Sequence, residues 1–149
     1  MKTCIINYGM GNLTSVRNAL LYCDVSADII NNPTYLKNYD TIILPGVGAF
    51  SSAMKSLTNS GMDSAIIEAI IKGKRLIGIC LGMQLLFSKS LEFGVHKGLD
   101  IIKGEVVPFK EKRDYRIPHM GWNYIEILDS SNFKFNGDYY FVHSYYCIP

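Results

Sequence analysis

RLIGICLGMQLLF, residues 75–87, is the stretch on which the reading of the fold turns. It is an apolar run that reaches a cysteine framed by two glycines, and from there its pattern becomes helical. Arg75 to Ile79 reads as a buried strand and Leu81 to Ser88 as the helix that follows it. Gly78-Ile79-Cys80-Leu81-Gly82 has the spacing of a nucleophile elbow, with sulfur where a hydrolase carries a serine hydroxyl. A strand-to-helix elbow projects its central side chain at the carboxyl edge of a parallel sheet, where open α/β sheets bind ligands. The helix N-terminus behind the sulfur favours its thiolate. Cys80 is therefore the candidate nucleophile, against the plainer reading of a small buried cysteine at a strand end.

Working outward, the chain alternates strand and helix. Thr3 to Asn7 is a first strand, followed by the turn Tyr8-Gly9-Met10-Gly11-Asn12 and a helix to about Tyr22 that Thr14 or Ser15 could cap. Strands are expected at Ala27 to Ile30 and Thr41 to Leu44, the latter bounded by Pro45-Gly46. Helices follow at Phe50 to Leu57 and at Asp63 to Lys72, where Ala65, Ile66, Ala69 and Ile70 recur at helical spacing. This order predicts an α/β fold: an open, mostly parallel, flavodoxin-like sheet with helices on both faces. After Gly94 the pattern changes. Leu99 to Phe109, Trp122 to Leu128 and Tyr139 to Cys147 read as strands of an antiparallel extension.

The 149 residues form one domain on this reading, and 48% hydrophobic against 19% charged residues marks an ordered globular chain. A net charge of +2 without a basic block gives no nucleic-acid footprint. Lys110-Glu111-Lys112-Arg113 mixes both signs and reads as a solvated loop. No apolar run has the length of a membrane span. Cys4, Cys23, Cys80 and Cys147 have neither CxxC nor metal-finger spacing, so they read as reduced thiols of a cytoplasmic protein, Cys4 and Cys23 as small core residues.

Two further loops belong at the carboxyl edge. Backbone amides of Pro45-Gly46-Val47-Gly48 could point at a developing oxyanion, although an ordinary strand-to-helix turn has the same composition. Tyr8 to Asn12 lacks the full dinucleotide fingerprint. A cysteine nucleophile needs a base. His96 lies in a polar loop, His119 follows Pro118, and His143 stands in the aromatic run Tyr139 to Tyr146. His143 is the best local candidate, with a satisfied core histidine as the competing reading.

Five segments together resemble one family. Gly78-Ile79-Cys80-Leu81-Gly82-Met83-Gln84 is similar to the nucleophile motif of class I triad glutamine amidotransferases. Asn7-Tyr8-Gly9-Met10-Gly11-Asn12, Leu44-Pro45-Gly46-Val47-Gly48-Ala49-Phe50, Pro118-His119-Met120-Gly121-Trp122-Asn123 and Tyr140-Phe141-Val142-His143-Ser144-Tyr145-Tyr146 resemble the glutaminase subunits of imidazole glycerol phosphate synthases. The resemblance implies that Cys80 attacks the side-chain amide of glutamine, forming a glutamyl thioester and releasing ammonia. It implies an oxyanion hole from Val47, Gly48 and Leu81, and substrate contacts from Gly46, Gly48, Gln84, Glu92, Ser144 and Tyr145, with Glu92 facing the ammonium group. Met10, Asn12, Met120, Trp122 and Asn123 match a face docked on a (β/α)8-barrel cyclase. Through that barrel ammonia reaches the site that makes imidazole glycerol phosphate and AICAR in histidine biosynthesis. No cofactor and no metal are implied.

In that family the catalytic histidine lies in a Phe-His-Pro-Glu segment beyond the His-Ser-Tyr-Tyr strand. None of the three histidines here matches it, which makes the chain, on this reading, a fragment lacking the C-terminal part of its domain and inactive by itself. The competing readings are an amidotransferase subunit serving another synthase, such as one amidating a surface sugar, a non-catalytic flavodoxin-like binding protein, and a cysteine hydrolase using His143.

Overall fold

The computed structural model describes residues 1–110, 116–127 and 136–149. The chain divides into two compact units, Met1–Val107 with Cys147–Pro149, and Pro108–Tyr146.

The first unit is built on four parallel strands, β1 (Thr3–Ile6), β2 (Ala27–Ile30), β3 (Thr41–Gly46) and β4 (Arg75–Cys80), in the order β2-β1-β3-β4. This is the flavodoxin-type order, whose chain reverses direction of winding between β1 and β3 and so opens a crevice at their carboxyl ends. The strands start level, with Thr3 opposite Ala27 and Thr41, and Thr41 opposite Arg75. β3 and β4 also end level, with Gly46 directly opposite Cys80, whereas the shorter β1 and β2 stop two residues earlier.

β1 and β3 are buried along their whole length and apolar after their leading Thr3 and Thr41, as strands covered on both faces must be. Helix α1 (Leu13–Tyr22) follows β1, and a 3-10 turn (Pro33–Asn38) leads from β2 to β3. Helices α2 (Phe50–Ser60) and α3 (Met62–Ile71) connect β3 to β4. α2 buries Phe50, Ala53 and Leu57, and α3 buries Met62, Ile66 and Ala69, each set on one helical stripe. The cap of α1 is Asn12, whose Oδ1 accepts from the Ser15 amide at 3.1 Å. The helix thus begins two or three residues earlier than a Thr14 or Ser15 cap would have it, because the Asn side chain reaches the third amide of the turn.

Two expectations for residues 75–87 need correction. β4 is the edge of the sheet and not a buried strand, with Ile77 49% and Ile79 39% exposed. The helix after Cys80, α4, spans only Leu81–Gln84, and the chain then forms strand β5 (Phe87–Ser90). Leu85, Leu86 and Phe87 are all buried, so the same apolar run satisfies the core without continuing the helix.

β5 belongs to a second sheet with β6 (His96–Lys97), β7 (Ile102–Pro108) and β10 (Tyr145–Ile148), in the order β10-β7-β5-β6. β5 runs antiparallel to β6 and parallel to β7, so this extension is mixed rather than purely antiparallel. Cys23 ends α1 in an exposed position, whereas Cys4 is fully buried. Burial pushes the Cys4 thiol up to about 12, which keeps it protonated and unreactive.

In the second unit β8 (His119–Ile125) pairs antiparallel with β9 (Gly137–His143), Trp122 lying opposite Tyr140. The expected end of this region's first strand, Leu128, and residues 111–113 of the charged loop lie outside the described residues. Among the described residues no helix is long and apolar enough to cross a membrane.

The glycines around Cys80 are a steric requirement. A Cβ on Gly82 would fall 1.8 Å from the Leu44 carbonyl oxygen, and one on Gly78 would fall 2.6 Å from Met83 Cα. Both obstacles are backbone, which yields only by moving α4 away from β3 at Gly82 or away from β4 at Gly78. Gly82→Ala should therefore destabilise the fold by about 2 kcal/mol or more, read from urea unfolding. An unchanged midpoint would mean that the elbow is not held against β3.

Candidate active site

Cys80 is exposed and sits at φ 55°, ψ −118°. A positive φ is strained for a residue with a Cβ, and such strain persists only where the surroundings fix it. Here β4 holds the residue from one side and the backbone contacts of Gly78 and Gly82 hold it from the other. The result lifts the sulfur out of the strand end into solvent, as the G-x-C-x-G spacing requires. Leu81, the first residue of α4, supplies an amide that no preceding turn uses.

The loop from β3 reaches the same place. Gly46 packs so tightly that a Cβ on it would lie 2.6 Å from the Tyr8 hydroxyl, 2.9 Å from the Gly82 nitrogen and 3.0 Å from Leu81 Cβ. Val47 and Gly48, the next two residues, are exposed, and Gly48 takes φ +95°. Three segments, Tyr8, Gly46 and Leu81-Gly82, thus converge beside Cys80 at the crevice between β1 and β3.

Tyr8 has a role that its place in a turn-like segment did not disclose. Its buried hydroxyl donates to the Pro45 carbonyl at 2.9 Å, and its own carbonyl accepts from Ser56 Oγ on α2. Burial, with a smaller contribution from the Cys80 charge, raises its phenol above the ordinary tyrosine range. Tyr8 is therefore a neutral donor that fixes the Pro45 carbonyl. Met10 lies against the same loop, since a Cβ on Gly48 would meet its methyl at 3.0 Å.

Gln84 closes α4 one turn after Cys80 and is half-buried. The Glu92 carboxylate accepts from the Phe50 amide at 2.6 Å. The sequence pairs these two residues by nothing visible, because they lie 42 positions apart.

The remaining site candidates belong to the second unit. Ser144 and Tyr145 both use their carbonyls inside it: Ser144 accepts from the Phe109 amide at 3.0 Å, and Tyr145 from His143 Nδ1 at 2.8 Å. The Tyr145 carbonyl can only accept, so His143 carries its proton on Nδ1 and, when neutral, accepts on Nε2. His119 Nδ1 then donates to His143 Nε2 at 3.0 Å, and Asn123 Nδ2 donates to His119 Nε2 at 2.9 Å. Phe109 meets the His143 ring edge-on at a centroid distance of 5.0 Å. Both nitrogens of His143 are engaged, which suits a structural histidine rather than a free base.

The hairpin separates the interface candidates. Met120 and Trp122 point to one face with Tyr124, Tyr140 and Val142, and all five are exposed, Trp122 to 71%. Asn123 alternates to the other face, where it holds His119.

The family described as the CobB/CobQ-like glutamine amidotransferase domain matches residues 3–125. Imidazole glycerol phosphate synthase subunit HisH of Wolinella succinogenes is 48% identical over 151 residues, covering 97% of this chain and 74% of that protein. The chain belongs to the HisH family of glutamine amidotransferase subunits. HisH of Caldanaerobacter subterraneus subsp. tengcongensis is 51% identical over 146 residues, covering 95% of this chain and 71% of the relative. Among solved structures, a glutamine amidotransferase crystal structure superposes with a TM-score of 0.74 at 16% identity, covering 93% of this chain and 70% of that one. PurLQS from Thermotoga maritima gives 0.67 at 18% identity, covering 99% of this chain and 70% of that one. At such identities these two likenesses speak for the fold alone. The open α/β architecture expected from residues 75–87 is thus that of the HisH family.

Proposed function

We propose that this HisH-family chain is the glutaminase subunit of an imidazole glycerol phosphate synthase, acting in the cytoplasm as one half of a heterodimer. The observation that carries the chemistry is the convergence of a strained, exposed Cys80 with the Gly46-Val47-Gly48 loop in one sheet-edge crevice.

Cys80 Sγ attacks the side-chain carbonyl carbon of glutamine and the negative charge moves to its oxygen. The Leu81 amide, with those of the Val47–Gly48 loop, receives that charge, an arrangement that stabilises the transition state more than the ground state. Collapse of the tetrahedral species breaks the C–N bond, and ammonia leaves with a proton added to the amide nitrogen. Water then adds to the thioester, releasing glutamate and the thiol. Gly46, Gly48 and Gln84 hold the substrate, Glu92 pairs with its ammonium group, and Ser144 and Tyr145 contribute backbone contacts. The proton carrier is none of His96, His119 and His143, and the two engaged nitrogens of His143 support that assignment. A histidine and glutamate from a Phe-His-Pro-Glu segment fill the role.

The partner is a (β/α)8-barrel cyclase that takes up the ammonia. Support comes from the contiguous exposed face of Met120, Trp122, Tyr124, Tyr140 and Val142, since aromatic side chains gathered on one face of a hairpin are typical anchors of an interface. Met10 and Asn12 complete the partner-facing set on this reading, Asn12 while also capping α1. Asn123 serves it indirectly, by holding His119.

Cys80→Ala, in a chain carrying the Phe-His-Pro-Glu segment and bound to its cyclase, should abolish glutamine-dependent turnover and leave ammonia-dependent turnover intact. Free ammonia bypasses the thioester. Glutamine-dependent turnover surviving in Cys80→Ala would remove the proposal. Trp122→Ala should weaken cyclase binding by about 2 kcal/mol or more, measured by titration calorimetry. An unchanged dissociation constant would place the interface elsewhere.

A further inference from the structure

Helix α2 begins without a cap of its own. Its N-cap residue is Ala49, which has extended geometry (φ −87°, ψ 140°) and no side-chain acceptor. The first four amides of a helix have no intrahelical partner, and a buried helix start must find acceptors elsewhere. Phe50, the first residue of α2, is fully buried, and its amide donates to Glu92 Oε2 at 2.6 Å. Glu92 is in turn fixed by its own amide, which donates to Ser90 Oγ at 3.1 Å, and Ser90 is fully buried at the end of β5. A carboxylate at a helix N-terminus is also favoured by the helix dipole.

The consequence reaches the loop beside Cys80. Residues 46–49 run between two anchors: Pro45, whose carbonyl Tyr8 holds, and Phe50, whose amide Glu92 holds. Between them Val47 and Gly48 are exposed, and among the described residues neither backbone amide has a hydrogen-bond partner. We propose that Glu92 is the positioning residue of the Val47–Gly48 loop, capping α2 from another element and thereby setting where the loop amides stand. Its use in catalysis rests on the function proposed above; the cap does not.

Two demands then fall on one carboxylate. Oε2 is committed to the Phe50 amide, which leaves Oε1 for any cationic group of a substrate. Substrate charge and loop position are coupled through a single side chain. Neutral glutamine at this position keeps an acceptor oxygen for Phe50 while removing the charge, so substitution separates the two roles.

The test is amide hydrogen exchange and backbone resonances by NMR on the full 149-residue chain, without substrate. In Glu92→Ala the Phe50 amide should exchange at least about tenfold faster, while core amides such as Ile5 and Ile43 stay protected. The Val47 and Gly48 resonances should shift with it. Glu92→Gln should retain Phe50 protection to within about threefold and leave both loop resonances near their original positions. If Glu92→Ala does not fold, Glu92→Asp carries the same test, since its carboxylate is one methylene short of Phe50. Unchanged Phe50 exchange and unshifted Val47 and Gly48 in the Ala or Asp variant would overturn the proposal. So would Glu92→Gln proving as disruptive as either. None of these readouts requires glutamine turnover, so they stand apart from failure of the glutaminase reading.

Discussion

The backbone contact between the elbow and the end of β3 governs the arrangement of the whole first unit's carboxyl edge. Gly82 approaches the Leu44 carbonyl so closely that no side chain fits between them. That approach is possible only because β3 and β4 are in register through Gly46 and Cys80. It brings the start of α4 against the β3 loop, so that Gly46, Leu81 and Gly82 become neighbours of Tyr8. The strained φ of Cys80 follows, because the chain must leave β4 and enter α4 within one residue. A cysteine whose backbone is held by packing loses little to loop freedom, and the acyl transfer proposed above needs such preorganisation.

Much of this was legible in residues 75–87 because the constraint is local. Two glycines at fixed offsets from a cysteine encode a steric requirement that does not depend on distant sequence. The strand and helix alternation was equally readable, and Ala27–Ile30 forms a strand with the limits expected of it. What failed is non-local. Leu85-Leu86-Phe87 fits a helix continuation as well as a buried strand, and periodicity over so short a run cannot arbitrate between them. β4 has the apolar composition of a central strand, but its exposure is set by which strands flank it. The hydrogen bonds of Tyr8 to Pro45 and of Glu92 to Phe50 escaped for the same reason, since the partners are 37 and 42 residues apart. A buried tyrosine beside glycines and an acidic residue just after a strand carry no signature of the groups they will hold.

The second unit follows a different logic. Its hairpin alternates with period two, placing large apolar side chains on one face and a hydrogen-bonded His-His-Asn chain on the other. His143, the local candidate for a base, is instead bonded to His119 across the strands that present Trp122. Close backbone contact organises the sheet edge of the first unit, and strand alternation organises the hairpin of the second.

The most direct measurement of the central claim compares the exposed cysteines Cys80 and Cys23 toward a glutamine-analogue chloroketone, read by peptide mass mapping. Exposure alone treats the two thiols alike, whereas the elbow crevice selects one. Label should fall on Cys80 in preference to Cys23, with glutamine protecting Cys80. Equal labelling of Cys23 and Cys80, or no protection by glutamine, would contradict it.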